Sequence, residues 1–217
     1  MGMLIVTEFV TLDGVAQAPG APDEDRDSGF THGGWQAPLL DQASGDAMFD
    51  KVQRMDALLL GRKTYDIFAG YWPTAPEDIP FTGLLNRVPK YVASRTLTEP
   101  LDWQGSTVVA GDLAEGVATL KERHDEVHVI GSLDLVQSLL RSRLVDRLNV
   151  WLYPLVLGTG KKLFAGGTVP TGLRLTDSVT YASGTVHLAY EAAGLPSYGN
   201  MAAGTEDVQR LADRHGE

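Results

Sequence analysis

The stretch that decides the fold is Ala57-Leu58-Leu59-Leu60-Gly61-Arg62-Lys63-Thr64-Tyr65. Its apolar run, stopped by Gly61, predicts a short strand that is buried on both faces. The residues after Gly61 continue with helical spacing through Ile67 and Phe68, so a helix begins directly after this strand. A buried strand followed at once by a helix is the unit from which parallel sheets are built.

The rest of the chain repeats this order of strand and helix until its last third. Strands are predicted at 4–10, 89–93, 107–110, 126–130 and 145–156, and helices at 46–55, 112–123 and 133–141. Asp112 and Ser132 are candidate N-caps for two of these helices. Two final strands, 173–182 and 185–191, flank Ser183-Gly184 as an antiparallel hairpin. The pattern predicts an α/β fold with a mainly parallel central sheet, flanking helices and a C-terminal antiparallel hairpin.

The length of 217 residues fits one domain, residues 1–194, followed by an appendage, residues 195–217. The appendage is either disordered or holds a short charged helix at Glu206–Arg214. A long loop rich in Gly, Pro and Asp follows the first strand, from Asp13 to Gly34. Its acidic cluster, Asp23-Glu24-Asp25, lacks the spacing of a calcium loop and is expected to be solvated.

Composition excludes several classes of function. The net charge is −10, and an acidic chain repels phosphate backbones, so nucleic-acid binding is not expected. No run approaches the roughly 20 apolar residues of a membrane span, and the first residues lack the pattern of a signal peptide. The chain has no cysteine, which excludes thiol catalysis and is consistent with a cytoplasmic location. Its five histidines lack metal-ligand spacing, so no metal site is predicted.

Three strand ends carry residues suited to an anionic ligand. Gly61-Arg62-Lys63-Thr64 opens a helix, where N–H groups and the helix dipole favour a phosphate, although a solvated basic pair is an equal alternative. Ser94-Arg95 and Gly131-Ser132-Leu133 follow two other strands, where a polar turn and a plain N-cap are the alternatives. Because the carboxyl ends of parallel strands meet at one edge, the three turns together predict a dinucleotide with an additional 2′-phosphate.

Several segments, taken in order, resemble the dihydrofolate reductase-like superfamily, and most closely the reductase domain of bifunctional riboflavin-biosynthesis deaminase-reductases. The similarity spans about residues 3–192 and is carried by Thr11–Ala16, Leu58–Tyr65, Tyr91–Leu97, Val129–Ser132, Leu144–Leu148 and Tyr153–Phe164. One departure is Gly131-Ser132, where the family commonly has two glycines. A serine there restricts the approach of the backbone to a phosphate, or its hydroxyl bonds the phosphate instead.

The resemblance implies NADPH as the hydride donor and assigns roles to residues of this chain. The cofactor residues that it implies are Gly61, Arg62, Lys63 and Thr64 for the phosphates and adenosine end, Ser94 and Arg95 for the 2′-phosphate, Gly131, Ser132 and Leu133 for the pyrophosphate, and Val15 and Ala16 for the nicotinamide. The substrate residues that it implies are Asp13, Trp35, Gly158 and Gly160.

The expected function is that of an NADPH-dependent reductase similar to 5-amino-6-(5-phosphoribosylamino)uracil reductase, acting on a small molecule as a homodimer. A dihydrofolate or pterin reductase is one alternative, and a non-catalytic NADPH-binding module is another. Dihydrofolate reductases place an acidic residue early in the helix after the first loop. Asp41 is the nearest match and the candidate catalytic acid, with ordered water as the other proton source. The alternative for Asp41 is the N-cap of that helix.

Overall fold

The computed structural model describes residues 2–164, 166 and 168–200. Their strands are β1 (Met3–Thr11), β2 (Ala57–Gly61), β3 (Lys90–Ala93), β4 (Ser106–Val109), β5 (Glu126–Ile130), β6 (Arg147–Tyr153), β7 (Leu173–Thr180) and β8 (Val186–Ala192). Their α-helices are α1 (Gln42–Val52), α2 (Arg62–Tyr71), α3 (Pro80–Arg87), α4 (Leu113–Arg123) and α5 (Leu133–Arg141).

The strands form one sheet in the order β4-β3-β2-β5-β1-β6-β8-β7. Neighbours from β4 to β6 run parallel, whereas β8 is antiparallel to both β6 and β7. The predicted α/β fold with a C-terminal antiparallel hairpin is therefore confirmed. β1 lies inside the sheet and pairs with β5 and β6, so its side chains meet the layers on both faces.

Alternating side chains of β2 pack into different cores, as a strand buried on both faces requires. Ala57 and Leu59 belong to a cluster that includes residues of α4 and α5. Leu58 and Leu60 belong to a second cluster, which includes residues of α1, α2 and α3. The apolar run before Gly61 is thus covered by helices on both faces, in agreement with the sequence pattern.

Two boundaries and one missed helix are the largest differences from the sequence prediction. The first helix begins at Gln42 rather than at residue 46, because Asp41 and Ser44 form a capping box that starts it one turn earlier. The helix at Pro80–Arg87 was not predicted, although Pro80 occupies the first helical turn, where proline is favourable. The strand predicted over residues 145–156 is shorter, Arg147–Tyr153.

The helix predicted at Glu206–Arg214 lies outside the described residues, as does most of the predicted appendage. Within the described ranges, none of the helices combines the length and the apolar character that crossing a bilayer requires.

Candidate functional site

The three predicted anion-binding turns lie at one edge of the sheet. β3, β2 and β5 are adjacent and parallel, and they end at Ala93, Gly61 and Ile130. The turns after them border one cleft with a volume of about 980 Å³. Ten of the eleven predicted cofactor residues line it: Ala16, Gly61, Arg62, Lys63, Thr64, Ser94, Arg95, Gly131, Ser132 and Leu133. Val15 is the exception, because its side chain is fully buried next to the cleft wall.

A direct hydrogen bond joins two of these turns. Gly61 N donates to Ser132 Oγ at 3.0 Å, which brings the start of α2 against the start of α5. Ser132 does not cap α5 through its side chain, so that prediction is wrong. The reason is local geometry: Ser132 has φ +66°, the left-handed conformation, and its hydroxyl bonds the neighbouring turn instead. Glycine adopts this conformation without strain, whereas Ser132 is held in it while its hydroxyl bonds Gly61.

The two helices that begin at this cleft lack side-chain caps in the described structure. Neither α2 nor α5 has a side-chain hydrogen bond at its N-terminus. By contrast, Asp41 caps α1 and Asp112 caps α4, the latter through the backbone N–H groups of Ala114 and Glu115. The first N–H groups of a helix have no partner within the helix. Two adjacent uncapped N-termini therefore offer donors and positive dipole ends to an anion in the cleft.

The basic pair that opens α2 is paired with carboxylates of the chain itself. Lys63 Nζ lies 2.6 Å from Asp25 Oδ1 and 2.5 Å from Asp27 Oδ2. Arg62 Nε lies 3.6 Å from Asp66 Oδ2, and both side chains are more than half exposed. The anions that compensate Lys63 in the structure are therefore carboxylates of the long first loop, whereas the sequence analysis expected a phosphate at this turn. Lys63 still lines the cleft, but its charge is already shared.

Asp25 and Asp27 form a four-membered ion cluster with Lys63 and Lys161. Lys161 Nζ lies 2.8 Å from Asp25 Oδ2 and 2.7 Å from Asp27 Oδ2. Burial acts to raise the pKa of Asp25, but the hydrogen bonds from Lys161 and Lys63 outweigh it and hold the pKa at about 2. The expectation of a solvated acidic cluster is therefore wrong for Asp25, which is buried. Its ion pairs with Lys63 and Lys161 hold the first loop against the cleft.

The third turn presents a cation without a protein partner. Arg95 is exposed on the cleft wall and forms no hydrogen bond or ion pair within the described part of the chain. Ser94 Oγ accepts hydrogen bonds from the backbone N–H groups of Thr96 and Leu97, at 3.2 and 3.0 Å. The hydroxyl of Ser94 thus shapes the turn and keeps its own hydrogen for donation.

The predicted substrate residues lie beside the cleft but are not among the residues that line it. Asp13 accepts hydrogen bonds from the Thr11 hydroxyl and from the backbone N–H groups of Leu157 and Gly158. These bonds, the Thr11 bond foremost, lower the pKa of Asp13 to about 2. The carboxylate therefore ties the first loop to the loop after β6.

Trp35 and Gly160 belong to the packing around that first loop. Trp35 is buried, and its indole N–H donates to the carbonyl of Gln17 at 2.8 Å. Gly160 has φ +120°, and a Cβ there would stand 2.7 Å from the Val15 side chain and 2.8 Å from Phe30. Only glycine fits this position without displacing its neighbours.

The carboxylate of Asp41 caps α1. It accepts the backbone N–H of Ser44 at 2.7 Å and that of Ser183 at 3.3 Å. These hydrogen bonds, the Ser44 bond first, lower its pKa, so Asp41 is ionised in the neutral range. Asp41 is not among the residues that line the cleft.

Among the cleft residues that the sequence analysis did not predict, two charged ones stand out. Lys161 belongs to the ion cluster, and Glu8 lies in the middle of β1, where its side chain is buried. Burial raises the pKa of Glu8 to about 8. The sequence did carry a signal for Glu8, which is the lone acidic residue inside the apolar run Leu4–Val10. Acidic side chains are seldom buried, so one inside a strand of apolar residues is a candidate for a functional role.

These residues fit a dinucleotide in size and chemistry. The cleft lies at the upper end of the roughly 300–1,000 Å³ that is typical of ligand sites. Paired helix N-termini suit a pyrophosphate, and the unpaired Arg95 suits a phosphate monoester. The cleft is also lined by five acidic residues, Glu8, Glu24, Asp25, Asp66 and Asp134, so basic and acidic side chains share its walls.

A family model described as the RibD C-terminal domain matches residues 3–187. Uncharacterized protein YyaP from Bacillus subtilis (strain 168) is 27% identical over 194 residues, which cover 86% of this chain and 93% of YyaP. A solved protein from Shewanella sp. PV-4, provisionally assigned to riboflavin biosynthesis, is 22% identical with a TM-score of 0.68, covering 88% of this chain and 98% of that one. Dihydrofolate reductase from Enterococcus faecalis, solved with NADP(H) and RAB-propyl, is 14% identical with a TM-score of 0.54, covering 88% and 97%. These structural similarities concern the fold.

Proposed function

Because the chain belongs to the RibD C-terminal domain family, we propose that it is a reductase that uses NADPH on a small substrate similar to 5-amino-6-(5-phosphoribosylamino)uracil. The observation that carries this proposal is the pair of helix N-termini at the cleft. α2 and α5 begin side by side without side-chain caps, joined by the hydrogen bond from Gly61 to Ser132. Such an arrangement is suited to a diphosphate.

Different walls of the cleft bind different parts of the cosubstrate. The first turns of α2 and α5, with Thr64 and Ser132, hold the diphosphate, and the turn at Ser94-Arg95 holds the phosphate of the adenosine end. Ala16 and Phe9 also line the cleft and provide an apolar wall for the nicotinamide. NADPH supplies a hydride when it is bound, and the protein contributes its orientation and the exclusion of water.

Preference for NADPH over NADH rests on Arg95. Lys63 is compensated by Asp25 and Asp27, whereas Arg95 has no partner among the described residues. Its planar guanidinium can donate two parallel hydrogen bonds to a phosphate monoester. NADH lacks that phosphate, so its binding does not use this side chain.

The test is a titration of NADPH and NADH into the wild type, Arg95→Ala and the control Arg123→Ala. Arg123 is an exposed arginine at the end of α4, remote from the cleft lining. Loss of a charge-assisted contact of about 1.5–3 kcal/mol should weaken NADPH by roughly 10- to 100-fold in Arg95→Ala. NADH should change less than about twofold, and Arg123→Ala should leave both ligands unchanged. Equal losses for NADPH and NADH in Arg95→Ala would refute the assignment of the 2′-phosphate.

A non-catalytic NADPH-binding module is the second candidate, favoured by the position of Asp41. The residue expected to donate the proton caps α1, outside the cleft lining. An assay of NADPH oxidation with pyrimidine, dihydrofolate and pterin substrates distinguishes a reductase from a binding module. Tight NADPH binding without turnover on any of them would favour the module, and turnover would identify the substrate class.

The proposal also includes the expected partners and location. We propose a homodimer in the cytoplasm that acts on a small molecule, with neither nucleic acid nor membrane as a partner. The net charge of −10 supports the exclusion of nucleic acid, because phosphate backbones are repelled by an acidic surface.

A further inference from the structure

Glu8 is a buried acidic residue in the strand that runs beside the cleft. It lies on β1, where Thr7 pairs with Ile130, the last residue of β5, so Glu8 stands next to the Gly131 turn. Its side chain points to the same face of the sheet as those of Val6 and Val10, which pack in the core beneath α4 and α5. Glu8 is only 1% exposed, yet it lines the cleft.

The carboxyl group of Glu8 has no hydrogen-bond or ion-pair partner among the described residues, and its Oε1 is fully enclosed. A buried polar group without a partner destabilises the folded protein. The neighbours of Glu8 on the same face of β1, two residues before and after it, are Val6 and Val10. A valine at position 8 would fill the space without burying an unpartnered polar group. An orphaned carboxyl that points into a cleft therefore indicates a ligand that supplies the missing partner.

The charged groups around Glu8 do not compensate it. Those that line the same cleft come from the first loop, α2, the turn after β3, α5 and the loop after β6: Glu24, Asp25, Arg62, Lys63, Asp66, Arg95, Asp134, Arg141 and Lys161. The two lysines are held by Asp25 and Asp27. β6 contributes Val150 opposite Glu8, and α4 contributes the apolar Leu113. Burial therefore raises the pKa of Glu8 to about 8, and its carboxyl group is mostly protonated below that pH.

We propose that Glu8 carries a proton in the folded protein and donates a hydrogen bond from its O–H to an uncharged carbonyl oxygen of the ligand in the cleft. The inference rests on the proposed function, and the oxygen is then that of the carboxamide on the nicotinamide ring. Glu8 shares its face of the sheet with Ala16, which packs in the same core and lines the cleft beside it. A neutral acid suits an uncharged acceptor, because it adds no charge to an enclosed site.

The experiment measures the proton that is linked to binding. NADP⁺ and NAD⁺ are titrated calorimetrically into the wild type and Glu8→Gln, in two buffers of different ionisation enthalpy, near pH 6.5 and pH 9. Near pH 9 only about a tenth of Glu8 is protonated, so the wild type should take up close to one proton and bind roughly 10-fold more weakly than near pH 6.5. Glu8→Gln keeps an N–H donor and should show neither effect. NAD⁺ has no 2′-phosphate, so a proton taken up when it binds cannot belong to that group.

Glu24→Gln is the matched control. Glu24 also lines the cleft and has a raised pKa, caused first by burial, but its Oε2 already accepts hydrogen bonds from the backbone N–H groups of Gly20 and Ala21. This variant should retain the proton uptake of the wild type. Equal proton uptake in the wild type and Glu8→Gln would overturn the inference, as would binding by the wild type without proton uptake near pH 9.

Failure of the proposed function is distinguishable from failure of this inference. If the wild type binds neither dinucleotide at any pH, the proposed function and the carboxamide ligand are both overturned. Infrared spectroscopy of the ligand-free wild type covers the case in which Glu8→Gln does not fold. The carbonyl stretch of a protonated carboxyl group should be present near neutral pH, disappear near pH 9 and shift when NADP⁺ is added. Its absence near neutral pH would overturn the neutral state of Glu8.

Discussion

Replacing Glu8 by glutamine should change how the stability of the ligand-free protein depends on pH. In the unfolded chain the carboxyl ionises near its ordinary pKa of 4.5, whereas burial raises the pKa in the folded protein to about 8. The folded protein therefore binds one more proton than the unfolded chain between these two values. Stability falls as the pH rises through this window, and it levels off above about pH 8.

The size of the effect follows from the burial of Glu8. A shift of roughly 3.5 pH units, at about 1.4 kcal/mol per unit, sets an upper bound of about 5 kcal/mol. Water that enters the open cleft reduces this penalty, so we expect a loss of about 2–5 kcal/mol from the wild type between pH 4.5 and pH 8.5. Glu8→Gln cannot ionise, and its stability should lack this component.

The assay is urea unfolding of both proteins at several pH values, with the difference in unfolding free energy as the readout. All other titrating groups are common to the two proteins, so the difference isolates Glu8. Glu8→Gln should match the wild type near pH 4.5 and become the more stable protein as the pH rises to about 8.5. Parallel stability curves would show that Glu8 ionises at its ordinary pKa in the folded protein, which would rule out the raised pKa.

Two further predictions concern the ion cluster and the cap of α1. Lys63→Met and Lys161→Met should each lower the free energy of unfolding by about 1 kcal/mol, because the remaining lysine still pairs with Asp25. The double variant leaves that carboxylate unpaired and should lower it by about 3 kcal/mol or more. Additive losses in urea unfolding would contradict the shared pairing. Asp41→Ala should lower the unfolding free energy by about 1 kcal/mol, and Asp41→Ser by much less, since serine also caps. If Asp41 is the catalytic acid, Asp41→Ser loses turnover at unchanged NADPH affinity, and unchanged turnover would remove that role.

Local sequence patterns were sufficient to predict the strands and the three turns that border the cleft. The apolar run before Gly61 dictates a strand buried on both faces, and the helices that follow Gly61 and Ile130 begin at the strand ends, where parallel pairing brings them together. These features depend on residues within one turn of each other, so they are visible in the sequence. The capping box of Asp41 and Ser44 was equally local, and its use would have placed the start of α1 correctly.

The remaining features depend on contacts between distant segments. Lys63 is paired by Asp25, 38 residues earlier, and no local rule connects a loop carboxylate to the start of α2. Ser132 matches the preference for an N-cap, but its left-handed backbone turns the hydroxyl towards Gly61, 71 residues away. Likewise, two partners of Asp13 lie 144 and 145 residues later, so no local pattern could show that its carboxylate ties two loops together.

A crystal structure of the protein with NADP⁺ bound would test the proposed dinucleotide site most directly. We expect the diphosphate between the N-termini of α2 and α5, close to Gly61 and Ser132, and the 2′-phosphate beside Arg95. A dinucleotide bound elsewhere on the molecule, with its phosphates out of reach of both helix N-termini, would rule this site out.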